Sequence, residues 1–111
     1  MSDTNPIGKQ EADNLYAGGF PEVRDTRTIP AGTAVKRGAI LGSDYKPIVD
    51  EGTVDCIALE DIAAAAAMRV CTVALTGEFN VNALTTGDTT TPESWKADLR
   101  ALSIFVRHPA P

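Results

Sequence analysis

The chain has 111 residues, 43% of them apolar, and fifteen acids against ten lysines and arginines leave a formal charge of −5. That length suits one domain with a modest core, and that apolar share excludes wholesale disorder. With no basic run longer than Lys36-Arg37, the cationic stripe that a nucleic-acid partner requires is missing, and no apolar run nears the roughly 20 residues that span a bilayer.

Residues 1–14, MSDTNPIGKQEADN, carry one isoleucine among polar and small groups. They read as a flexible N-terminal arm preceding a domain at 15–111, with no apolar stretch of the kind a signal peptide needs. The expected setting is therefore the cytosol, or release from it by lysis. Leu15 to Phe20, LYAGGF, sets three large apolar groups around Gly18-Gly19 and suits an edge or an interface. Residues 1–20 as a whole are expected to add little to the core, because the apolar strands lie beyond them.

EVRDTRTI, Glu22 to Ile29, alternates imperfectly and reads as a half-exposed strand. Pro30 to Gly32 is a turn, since proline fixes φ and glycine accepts a positive one. TAVKRGAILG follows as an extended segment bent at Gly38 and Gly42, as in small β-barrels. SDYKPIVDEGT reads as a hairpin-like excursion closed at Asp50-Glu51-Gly52, and VDCIALEDI as a strand ending near Glu60-Asp61. The alanine run from Ala63 to Met68 favours helix by propensity, but six residues flanked by β-like runs predict a loop or a single turn. RVCTVAL, Arg69 to Leu75, is apolar on both parities and should lie centrally in a sheet. Thr76-Gly77 bends or ends it, Phe79 plugs the core, and Asn80 caps a short turn over VNAL. TPESWKADLRAL carries helix start signals in Thr91, Pro92 and Glu93, and Trp95, Leu99 and Leu102 fall on one face. SIFVRH is a last strand. The sum is a mainly β single domain with one short C-terminal helix. Only six residues are aromatic and alanine supplies much of the apolar share, so the core should be thin and aliphatic, with self-association as an added source of stability.

Chemical candidates are few. Cys56 and Cys71 lie in apolar runs and read as buried free thiols; with one histidine they cannot complete a four-ligand structural zinc site without carboxylates. His108 has no nucleophile elbow to serve. The adjacent acids Asp50-Glu51 and Glu60-Asp61 point to opposite sides of an extended chain and do not converge. No glycine-rich phosphate cradle is present. Glu78, in LTGEFNVNAL, has no sequence neighbour to act as a catalytic partner and reads as a strand-end residue. The expectation is no catalysis, no cofactor and no metal.

Several segments, in order, resemble the lambda-type head decoration proteins of tailed bacteriophages: LYAGGFPEVRDTRTIPAGTAVKRGAILG (15–42), CIALEDI (56–62), VALTGEFNVNAL (73–84) and LSIFV (102–106). The more specific parts are G-x-x-x-K-R-G-x-x-L-G, Gly32 to Gly42, and L-T-G-E-F-N-x-x-A-L. The acidic stretch Gly87 to Arg100, with its helix, departs from the family pattern. The resemblance implies a β-tulip or small-barrel-like fold and a homotrimer on the outer surface of the virion head. It would sit at three-fold positions of the expanded shell and stabilise it. The implied partner is the major capsid protein, met by strand addition from the N-terminal arm. Carried onto this sequence, that contact falls on Asn14, Leu15, Tyr16, Ala17, Gly18, Gly19 and Phe20, with the preceding residues as the reach. A different class of reading is a small β-barrel binding module, either carbohydrate-binding or an adhesion or baseplate component.

Overall fold

The structure, a computed structural model, describes residues 14–108. Six strands and one short helix follow in chain order: β1 (Arg24–Ile29), β2 (Ile40–Gly42), β3 (Val54–Ala58), β4 (Arg69–Ala74), β5 (Gly77–Asn80), α1 (Lys96–Arg100) and β6 (Ile104–Arg107). They form a four-stranded sheet in the order β1-β4-β3-β2 and a two-stranded sheet of β5 and β6. The mainly β class, the single compact domain and the short C-terminal helix are as the sequence predicts.

The four-stranded sheet is antiparallel throughout. β1 lies in register on β4 from Arg24 opposite Ala74 to Ile29 opposite Arg69. The Pro30–Gly32 turn leaves β1 as expected: the Thr33 amide donates to Pro30 O at 3.2 Å, and Gly32 sits at φ 82°. A second such turn follows, with the Ala39 amide donating to Lys36 O and Gly38 at φ 96°. A side chain at Gly38 would run into the Ala83 carbonyl oxygen, so both space and conformation demand glycine there. The extended segment predicted from Thr33 to Gly42 thus shortens to the strand Ile40–Gly42. β2 and β3 form the expected excursion, with a register shift between Leu41 and Gly42. The alanine run is a connection without helix, as predicted.

Side-chain parity divides the interior into two clusters on opposite faces of this sheet. Cys56, Ala58, Cys71, Val73 and Ile29 face Val35, Ala39 and Leu41. Ile57, Leu59 and Ala74 face the other way, into the larger cluster built with Phe79, Val81, Leu84, Trp95, Leu99, Ile104 and Val106. β4 is internal, as predicted, but it is not apolar-buried on both faces: Val70 is 64% exposed. Its cross-strand partner Thr28 is also exposed, so β1 and the first half of β4 have one uncovered face.

β5 and β6 are parallel, Gly77 opposite Ile104 through Asn80 opposite Arg107. Parallel neighbours need a long crossover, and residues 81–103 supply it. Asn80 caps its first turn, accepting from the Asn82 amide at 3.0 Å. Thr91 caps the second, a 3-10 turn from Pro92–Trp95 that leads into α1. Trp95 and Leu99 are buried as the spacing predicts, whereas Leu102 is exposed, because the helix has ended at Arg100 and the chain turns toward β6 at Ser103, φ 66°.

The largest departure from expectation is at the N-terminal side. Residues 1–20 do not stay out of the core: Leu15 is 1% exposed and belongs to the larger cluster. Its burial follows from main-chain pairing with β5, which no local pattern in LYAGGF encodes. Residues 1–13 of the predicted arm lie outside the described residues.

Candidate functional site

The residues singled out from the sequence, Asn14 to Phe20, form a strap along the free side of β5. Asn14 opens it in a left-handed turn conformation, φ 56°. Leu15 drops its side chain into the core, and its carbonyl accepts from the Asn80 amide at 2.8 Å. Tyr16 bridges Phe79 in antiparallel fashion, and their rings meet at 5.4 Å between centroids. Ala17 donates its amide to Glu78 O at 3.1 Å. From there the strap rises to the surface: Gly18 and Gly19 are exposed, and Phe20, 38% exposed, sits edge-on to Phe105 of β6 with centroids 4.8 Å apart. All seven residues therefore belong to one surface strip, with an anchored first half and an exposed second half.

Polar groups fasten this strip, and sequence reasoning missed them. The Glu78 carboxylate takes the Phe20 amide on one oxygen at 2.7 Å and Arg107 Nη1 on the other at 2.8 Å. A partner for Glu78 thus exists, but it comes from β6. Thr76 Oγ1 accepts from the Val23 amide at 2.9 Å and donates to Pro21 O at 2.8 Å. Tyr16 donates its hydroxyl to Glu22 at 2.6 Å, and Arg24 Nε holds the other oxygen of that carboxylate. Burial, reinforced by Glu22, pushes the Tyr16 phenol above its ordinary range. Arg37 lies over the same ring at 5.8 Å from the centroid. The signal was present in Thr76 and Glu78 of LTGEFN, but their partners stand up to 58 residues away in sequence.

Elsewhere the surface offers shallow grooves. One of them, about 390 Å³, runs between the Asp50–Gly52 turn and the crossover and is rimmed by Asp50, Glu51, Thr90, Ser94, Trp95 and Asp98. Its one aromatic, Trp95, is 7% exposed and donates its indole N–H to Thr90 Oγ1, so it gives no open face on which a sugar could stack. Of the adjacent acids, Glu60 and Asp61 diverge as expected, accepting from the Thr72 and Arg37 amides, whereas Asp50 and Glu51 lie in a turn and both rim this groove. His108 is exposed and meets Glu93 at 3.2 Å. Cys56 and Cys71 are both free and buried, and burial raises both thiols above the usual range. No group of three or more metal-ligating side chains occurs among the described residues.

What the strip can do chemically is present an extended backbone, a glycine pair and an aromatic edge to another surface. Compared with known proteins, the chain matches no family model and no curated protein.

Proposed function

We propose that this chain is a phage head decoration protein. In this reading it has the β-tulip fold, forms a homotrimer, and binds the outer surface of the expanded head at three-fold positions, where it stabilises the shell. The major capsid protein is its partner, and the strip Asn14–Phe20 with the residues before it makes the contact by strand addition. No catalytic step, cofactor or metal enters. The observation that carries the reading is the strip itself: a β-paired segment on a sheet edge whose glycine pair and Phe20 face outward. The segment resemblance from Leu15 to Gly42 and from Val73 to Leu84 supports the same reading. Three strips on one trimer would also raise the effective concentration of each contact. The buried anchor at Leu15 narrows the proposed contact to the exposed half, Gly18 to Phe20, and to residues 1–13.

The test is sedimentation with phage shells. The protein should pellet with expanded empty shells and stay in the supernatant with compact precursor shells. Absence of co-pelleting with expanded shells, at micromolar protein and physiological salt, overturns the reading.

A further inference from the structure

We propose that Glu78 is a latch that holds the strap Asn14–Phe20 closed against β5, and that the strap opens as a unit about a hinge fixed by Thr76. The inference concerns the fold alone and stands apart from what the strap binds. Three independent features carry it.

The first is how unevenly the strap is attached. Two main-chain bonds, Ala17 to Glu78 O and Asn80 to Leu15 O, flank the Tyr16–Phe79 bridge, and no strand assignment extends beyond that single bridge. Past Ala17 the attachment to β5 is the Glu78 carboxylate, which receives the Phe20 amide. The second feature is close approach: a Cβ placed on Gly18 would lie 2.6 Å from the Glu78 carboxylate carbon and both of its oxygens. The strap backbone is thus shaped to let the carboxylate reach across it. The third is the division of labour between neighbouring β5-side residues. Thr76 binds Pro21 and Val23 from both its donor and its acceptor side, which pins the chain just before β1. Motion is thereby confined to residues on the N-terminal side of Pro21.

Arg107 completes the device. It pairs with the Glu78 oxygen that the strap does not use, orients the carboxylate, and is itself 61% exposed. The Glu78 side chain, at 16% exposed, is the sheltered half of the pair, so salt screens the pair less than one open on both sides. The outer half of the strap is therefore held by one carboxylate, while the inner half is anchored by Leu15 and by the Tyr16 ring against Phe79. Opening exposes the β5 edge and the Leu15 socket together.

Amide hydrogen exchange on the full chain tests this, because local opening and global unfolding leave different patterns. The Ala17 and Asn80 amides are the reporters: their acceptors are main-chain carbonyls that survive any side-chain change. The Leu59 and Ala58 amides, bonded to Thr72 O and Ala39 O, are the controls. In Glu78→Ala, Ala17 and Asn80 should exchange at least about tenfold faster, with Leu59 and Ala58 within about twofold of the parent. Gly18→Ala, which pushes the carboxylate away from the strap side, should give the same pattern and decides the matter if Glu78→Ala does not fold. Acceleration of the Phe20 amide alone would mean a lost hydrogen bond and no latch, and overturns the proposal. Equal acceleration of reporters and controls means the strap opens only with the whole domain, and overturns it as well.

Discussion

Asp88 shows how much organisation one exposed carboxylate can carry. Its Oδ1 accepts from the Thr90 hydroxyl at 2.5 Å and from the Thr90 amide at 3.0 Å, while Oδ2 accepts from the Asp50 amide at 2.8 Å. The Thr90 hydroxyl first, then the two amides, hold its pKa below the usual carboxylate value of 3.8. A depressed folded-state pKa adds stability that is present above the unfolded value and is lost as pH falls through the folded one. Thermal melts of the parent between pH 7 and pH 2 should therefore fall away below about pH 3.8, and Asp88→Asn should flatten that part of its curve. At neutral pH the variant should melt below the parent. Parallel curves over the whole range would remove Asp88 from the acid response. None of this was legible in TTGDTTT, which reads as a plain linker, because the Asp50 amide arrives from the β2–β3 excursion 38 residues earlier. By contrast the caps at Asn80 and Thr91, the glycine of the Pro30 turn and the buried Phe79 were legible, since each is set by its own few neighbours.

At the scale of the element, the strap decides where sequence reading succeeds and stops. That LYAGGF is strand-competent and lies at an edge could be read from its composition. That Leu15 anchors it could not, because its burial depends on β5 and β6 being parallel neighbours, joined by a crossover of more than twenty residues. Local periodicity fails in the same way at Val70 and Leu102, whose apolar side chains stand on the predicted inner face and are exposed. The anchor has a direct energetic consequence. Leu15→Ala should destabilise the domain by about 2–5 kcal/mol in chemical denaturation, the range for truncating a buried leucine. Deleting residues 1–13 keeps the Leu15 anchor and sets the reference midpoint. Deleting residues 1–20 removes the anchor and should lower it. Equal midpoints for the two truncations would show that Leu15 contributes nothing to the core.

At the scale of the molecule, the question is what covers the apolar surface left over. One face of the four-stranded sheet carries the smaller cluster, and the other meets the larger cluster through Ile40 of β2, β3 and the second half of β4. The rest of that face carries Thr26 and Thr28 on β1, an edge strand with no further neighbour among the described residues, and Val70 and Thr72 on the adjoining β4. Val70 and Met68 are both largely exposed beside it. A flat threonine–valine face at a sheet edge is the type of surface that self-association buries. If the proposed trimer forms there, folding and association are linked, and stability must depend on concentration. Light scattering after size exclusion should give three times the 11.7 kDa chain mass, and the melting temperature should rise as protein concentration is raised. Val70→Lys places a charge on the face without touching either buried cluster. It should shift the mass toward one chain and remove the concentration dependence, while the unfolding transition stays cooperative. A trimer that survives Val70→Lys would move its interface to another surface. A parent protein that runs as one chain, with a melting temperature indifferent to concentration, would end the trimer proposal and with it the argument that three straps act together.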